Sequence, residues 1–202
     1  MPGLFDLEDH LVFYRSYHFN HTNVAIHLVC IPIILLSAIT FGIPTTFPSI
    51  SSNSQFNLGN IVAWIYGLYY IALDWKVGLP SAALLTTYAH FIRNYYSSLS
   101  KIGSSATSDF IKLAVGVHIM AWIAQFYGHG VHEKRAPALL DNLLQALVLA
   151  PFFVAFEIAF ALGYKPELKK SMDNRAGKNV RDLRAKEKKE KEEKIEAAKK
   201  RA

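Results

Sequence analysis

Apolar residues gather into five runs separated by polar punctuation: Val24 to Ile43, Ile61 to Leu79, Ala82 to Tyr96, Phe110 to Gly128 and Leu143 to Tyr164. Each is long enough for a helix rather than a strand. The first is interrupted by His27 and Pro32 and closes at Gly42-Ile-Pro44. The second carries Asp74 and Lys76 near its end, and the third follows Pro80, which suits a first helical turn, and stops at Arg93-Asn94. Residues 45–58 and the stretch Ser97 to Ser108 are Ser-, Thr-, Pro- or Asn-rich and read as loops. Crossing a hydrocarbon core takes about 20 apolar residues. The pattern therefore predicts an all-α fold: a multi-pass membrane helical bundle with four or five membrane helices, one of them short or re-entrant. The plainer alternative is a soluble helical bundle.

Two flanking segments differ from the runs. Over residues 4–19, Leu4, Leu7, Leu11, Tyr14 and His18 recur near helical spacing, and Asp6, Glu8 and Asp9 come early, where a helix dipole favours acids. This predicts an amphipathic N-terminal helix. Asn20-His-Thr-Asn23 follows as a break with N-cap chemistry. From Lys165 the chain turns highly charged, with many opposite-sign pairs four residues apart and almost no apolar stripe. The organisation expected is a membrane-embedded catalytic helical domain over 1–164 and a basic cytosolic tail over 165–202.

Charge sharpens that division. Residues 1–164 carry seven Lys/Arg against eight Asp/Glu, a net of −1, and residues 165–202 carry fifteen against eight, a net of +7. The formal +6 thus belongs to the tail. A nucleic-acid-binding domain would line a folded face with its cations, so no nucleic-acid partner is expected. A Lys/Arg excess beside the last apolar run places the tail in the cytosol. The ending Lys199-Lys200-Arg201-Ala202 matches a dilysine retrieval signal of the endoplasmic reticulum, a pattern that arises easily in a Lys-rich tail. The N-terminal residues lack a basic region and an early apolar core, unlike a cleaved signal peptide. The single cysteine, Cys30, lies in an apolar run and suits a buried structural thiol, so a cysteine-based zinc site is not expected.

The chemistry is concentrated in Trp122-Ile-Ala-Gln125-Phe-Tyr-Gly-His129-Gly-Val-His132-Glu133-Lys-Arg135-Ala-Pro137. An apolar helix ending in imidazoles, a carboxylate and two cations needs water, internal pairing or a metal. At 100° per residue, His118, Gln125 and His129 fall within about 20° of one stripe. Glu133 joins it if the helix survives Gly128 and Gly130, which weaken such an extension. His27 shares a face with Asn23, and His18 converges with it if the break folds one element over the other. Imidazole and carboxylate without thiolate suit non-haem Fe(II), Mn or Zn. No HExxH run and no repeated HxxHH boxes are present. Lys134 and Arg135 beside the Pro137 stop could hold an anionic lipid carboxylate or simply snorkel to the interface. Glu157, inside the fifth run, pairs with His118 or Arg135 or serves a metal.

Phe13-Tyr-Arg-Ser-Tyr-His18, Asn23-Val-Ala-Ile-His27, Ile31-Pro32 and the long His129 segment resemble the 2-hydroxy fatty acid dioxygenase family, which includes the fungal endoplasmic-reticulum enzyme of phytosphingosine breakdown. Leu140-Asp141, Gln145, Pro151 and Phe156-Glu157 extend the resemblance, which spans roughly residues 4–170. It implies an Fe(2+)-dependent oxidoreductase of the endoplasmic reticulum membrane, multi-pass with a cytosolic C-terminus. It further implies α-oxidation of a long-chain 2-hydroxy fatty acid to the acid one carbon shorter, with O2 consumed and CO2 released, in sphingolipid degradation. By position it implies His18, His27 and His129 as metal ligands, and Glu133 and Glu157 match acidic positions. His132 departs from the pattern. Gln125 and Glu133 are then the candidate catalytic side chains, and Lys134, Arg135 and Asn23 the candidates for contacting substrate. A non-enzymatic lipid-shaping scaffold, or a zinc-dependent membrane hydrolase using the same His/Glu set, remains the alternative.

Overall fold

A computed structural model of the chain describes residues 3–49, 53–136 and 142–199. Pro137, Leu140, Asp141 and the Lys200-Arg201 part of the dilysine match lie outside the described residues, as does the Gln145 side chain. The described residues form helices α1 (Leu7–Tyr17), α2 (His21–Gly42), α3 (Leu58–Leu73), α4 (Trp75–Ile102), α5 (Ser104–Tyr127), α6 (Ala150–Ala161) and α7 (Pro166–Lys199). Two π-helical turns, Gly128–Glu133 and Leu144–Leu149, continue α5 and lead into α6. The all-α expectation holds.

Local chemistry sets the ends. Asp6 caps α1 by accepting from the Asp9 N–H. Asn20 caps α2 through the N–H groups of Thr22 and Asn23, as its place in the Asn-rich break predicts. Asn57 caps α3, and Asp74 both ends α3 and caps α4 through the N–H groups of Lys76 and Val77. That double role corrects two expectations. The second apolar run is split at Asp74, and Pro80 lies inside α4 rather than opening a helix. The predicted loop from Ser97 to Ser108 is helical except at Gly103: serines without turn-specific neighbours did not stop α4 or delay α5. The described residues 45–49 and 53–57 are non-helical as predicted, and an isolated bridge joins Thr46 to Asn57.

The core is built on α6. Phe152, Phe153 and Phe156 are fully buried among Leu11 and Tyr14 of α1, Ile31, Leu35 and Ile39 of α2, and Tyr70 of α3. Phe152 stacks on Tyr70 at 4.5 Å between ring centroids. Burying each such side chain contributes about 1.5–3 kcal/mol. Where α3 meets α4, Gly78 allows a backbone contact that any Cβ would block, since it would strike the Tyr70 carbonyl.

Two helices, His21–Gly42 and the continuous Ser104–Glu133, are long and apolar enough to cross a membrane. At 1.5 Å per residue, α2 spans about 33 Å, a hydrocarbon thickness. Of the apolar window of Ser104–Glu133 only 17% is buried. Leu113, Ile119, Met120, Ile123 and Phe126 are exposed along it, and Trp64, Ile65 and Leu68 along α3. Outward apolar surface on this scale marks an interaction face.

The change of charge at Lys165 does not end the packed body. Met172, Ala176 and Val180 of α7 are buried, and α7 lies along α1. Arg15 meets Asp173 at 3.0 Å, Arg175 meets Glu8 at 3.1 Å and Asp9 at 2.5 Å, and Ser171 donates to Glu8 at 2.6 Å. Leu168 packs partly buried against the same core, and so few apolar side chains among so many charges escaped the sequence reading. Beyond them, from Glu187, the described side chains are exposed and joined by i,i+4 pairs such as Lys188–Glu192.

Candidate metal centre

Three elements deliver three histidines to one place. His18 is the C-cap of α1, His27 lies in the second turn of α2, and His129 sits in the π turn that follows α5. All three are buried, at 5%, 2% and 4% exposure. One potential ligand atom from each lies within 4.8 Å of the others. Ring centroids are 4.4 Å apart for His18–His27, 4.9 Å for His18–His129 and 4.8 Å for His27–His129, all edge-on.

Backbone carbonyls orient two of the rings. His18 Nδ1 is 2.9 Å from the Tyr14 carbonyl and His27 Nδ1 is 2.9 Å from the Asn23 carbonyl. A carbonyl only accepts, so Nδ1 carries the hydrogen in each, and each Nε2 keeps a lone pair. Outer contacts of this kind fix the tautomer of metal-binding histidines. His18 also stacks on Tyr14 at 4.0 Å, and Tyr14 packs on Phe153 of the core. Burial, then the His27 and His129 imidazoles, hold His18 well below the usual histidine range. It is therefore neutral near pH 7, the form a metal requires.

Around the rings the polar groups divide into tied and untied. Glu133 Oε1 accepts from the Asn20 N–H at 2.6 Å and from Asn23 Nδ2 at 3.4 Å. This ties the π turn to the start of α2, so helical structure does persist through Gly130, and as a π turn. Gly128 packs so closely on Asn23 that a Cβ would overlap Asn23 Oδ1. Lys134, in the left-handed region at φ 56°, ends the turn. Four buried side-chain atoms lack a partner among the described residues: His129 Nδ1 of the trio, Asn23 Oδ1 of the residue whose carbonyl holds His27, Gln125 Nε2 four residues before His129, and Asn60 Oδ1. An unmet buried polar group costs about 1–3 kcal/mol. An unmet nitrogen on one of three facing, buried imidazoles fits a bound metal. The donor set is three imidazoles with no thiolate, since Cys30 is not in the cluster.

The other sequence candidates are placed as follows. Arg135 lays its guanidinium over Tyr17, 3.6 Å from the ring centroid, and donates to the Ser16 carbonyl at 3.3 Å. Lys134 is exposed at the rim. His132 packs on Tyr127, outside the three-histidine cluster. His118 is joined to Ser37 and Trp122. Glu157 is within electrostatic reach of Arg15, Lys169 and Asp173 rather than meeting the expected partners His118 or Arg135. The sequence reading missed the carbonyls of Tyr14 and Asn23 as holders of the rings. The shared four-residue spacing, Tyr14 to His18 and Asn23 to His27, was their signal.

Residues 4–162 match the family described as Mpo1-like, 2-hydroxy-palmitic acid dioxygenase Mpo1-like. The chain is 36% identical over 182 residues to the 2-hydroxy-palmitic acid dioxygenase MPO1 of Saccharomyces cerevisiae, covering 90% of this chain and 96% of that protein. The chain belongs to the Mpo1-like family. The resemblance drawn from the histidine motifs is thereby established, and with it the enzyme class, a dioxygenase. No solved structure matches the chain. The match of this Mpo1-like chain takes in α1 through α6, and hence all three histidines.

Proposed function

We propose that this Mpo1-like chain is a membrane-embedded, Fe(II)-dependent dioxygenase that shortens long-chain 2-hydroxy fatty acids by one carbon in sphingolipid breakdown. The observation that carries the reading is the buried trio His18, His27 and His129, each from a different element. The reaction takes R–CHOH–COOH and O2 to R–COOH, CO2 and water. The Cα–C1 bond breaks, the substrate gives up four electrons and O2 accepts four, so no separate reductant is required.

His18, His27 and His129 would hold the metal through imidazole nitrogens. Iron(II) bound there would supply redox chemistry toward O2 and affinity for the oxygens of a 2-hydroxy acid. The carbonyls of Tyr14 and Asn23 keep two rings aimed. Gln125 Nε2, an unmet donor, hydrogen-bonds the carboxylate of the substrate, and Asn23 Oδ1 accepts from its hydroxyl. Glu133 acts by holding the π turn that carries His129. Lys134 draws the carboxylate toward the rim, and Arg135 supports it while bracing the end of α1. Neutralising both cations raises KM for a long-chain 2-hydroxy acid; an unchanged KM removes them from substrate binding.

The setting proposed is the endoplasmic reticulum membrane. Helices α2 and α5 cross it, and α3, α4 and α6 complete a bundle of up to five membrane segments as shorter or inclined pieces. The Lys/Arg excess of α7 favours the cytosolic side.

A second reading rests on the same trio: three histidines with no carboxylate are also a catalytic zinc set, suited to hydrolysis. Protein purified anaerobically and assayed for metal and for O2 uptake on 2-hydroxypalmitate separates the two. Iron with O2 uptake is expected. Zinc without uptake favours the hydrolase.

A further inference from the structure

Between α2, α3, α5 and the turn into α6 lies a partly open cavity of about 150 Å³. Its walls include Ile34, Leu35, Ala38, Trp122 and Leu147, and Gln125 stands at its border. The polar atoms on these walls are almost all committed to the protein. Trp122 Nε1–H donates to His118 Nε2 at 3.0 Å. His118 Nδ1 therefore carries its hydrogen, and it faces Ser37 Oγ at 3.0 Å and the Ile34 carbonyl at 3.2 Å. The Tyr66 hydroxyl donates to the Leu147 carbonyl at 3.1 Å. What remains uncommitted is Gln125 Nε2, one helical turn before His129. The cavity thus has a polarity gradient: the buried, unpartnered amide nitrogen of Gln125 at the His129 end of the α5 wall, and internally satisfied, water-repelling walls running back along α5. From Gln125 to His118 that run is about 10.5 Å.

We infer that this slot holds the proximal acyl chain of the substrate, with the polar head at Gln125 and the remaining carbons leaving through the open side into lipid. A polar ligand would find no partner along the walls; an alkyl chain needs none. The slot makes Ala38 and Trp122 specificity-determining residues. Each methylene moved from water into such a slot tightens binding about fourfold. The inference rests on the reading of the protein as a 2-hydroxy acid dioxygenase.

Two measurements on the iron-loaded enzyme in detergent micelles test it. Ala38→Phe blocks the end of the slot beside Ser37 and His118, farthest from Gln125, where the longer chain reaches and the shorter one stops, and the ratio of kcat/KM for 2-hydroxypalmitate over 2-hydroxyoctanoate is expected to fall at least tenfold; an unchanged ratio overturns the inference. The second needs no turnover. Trp64→Phe/Trp75→Phe leaves Trp122 as the sole tryptophan, and under anaerobic conditions a chain-brominated 2-hydroxypalmitate should quench it saturably. Quenching that merely follows the mole fraction of the acid in the micelle overturns the slot even if Ala38→Phe fails to fold. Normal O2 uptake with either negative result leaves the dioxygenase reading standing and removes only the slot. No O2 uptake on either acid, with saturable quenching retained, removes the reaction and keeps the slot as a fatty-acid site.

Discussion

Asp74 and His129 are both buried polar side chains in a bundle of apolar helices, at opposite kinds of junction. Asp74, between α3 and α4, accepts from the N–H groups of Lys76 and Val77, from the Tyr164 hydroxyl at 3.2 Å and from Lys165 Nζ at 2.6 Å. Burial pushes its carboxyl up, but Lys165, the Val77 N–H and Tyr164 together bring it below the ordinary value of 3.8. His129, in the π turn, has a ring nitrogen with no partner, and an atom each of Asn23, which holds His27, and of Gln125, four residues before it, is also unmet. The first junction is complete by itself and serves the fold. The second is incomplete, and its missing partners are what a metal and a substrate head would provide. A satisfied network rigidifies, whereas an unsatisfied one is costly unless something binds.

His129→Ala breaks the contrast most severely. It is expected to remove metal from the purified protein and to lower O2 uptake by more than about 100-fold, beyond the loss typical of an outer partner. Folding should survive, because an unmet nitrogen leaves with the ring; thermal unfolding beside metal content checks both. Glu133→Gln comes next. It weakens a charge-assisted bond to the Asn20 N–H, and metal affinity should drop about 10- to 100-fold with the metal still bindable at high concentration. Complete loss of binding would instead make Glu133 a ligand. Gly128→Ala forces a methyl against Asn23 and should cost about 1–3 kcal/mol of stability, seen in chemical denaturation, with KM raised.

The smallest effect belongs to the satisfied junction. Lys165→Ala should cost about 1 kcal/mol, discounted because the lysine is half exposed, and leave kcat unchanged. The sign with pH follows from the depressed Asp74. Its stabilisation is full above pH 3.8 and is lost as pH falls through its lower folded value. Denaturation of the variant and the parent should therefore converge in acid. A gap that widens below pH 4 would contradict the pairing.

Much of this contrast was legible in the chain. Run lengths and the Asn20 cap position foretold helices, and the histidine motifs foretold the family. Asp74 stood only as a charge near the end of the second run, because capping of α4 depends on where α3 stops, which hydropathy alone blurs. The π turn was invisible: Gly128 and Gly130 argued for a break, and only the packing of Gly128 on Asn23 and the Glu133 tie make a widened helix favourable. Arg135 looked like a free anion ligand, yet Tyr17, over a hundred residues away, claims its guanidinium. The stripe through His118 does not act as one set: the π turn takes in His129, and His118 meets Ser37 instead.

The most direct test is the iron content and O2 uptake of anaerobically purified protein supplied with 2-hydroxypalmitate, in the parent and in His129→Ala. The account predicts iron in the parent, with one O2 consumed and one CO2 released per acid, and neither iron nor uptake in the variant. A parent that carries zinc and consumes no O2, or a variant that keeps both iron and uptake, would contradict it.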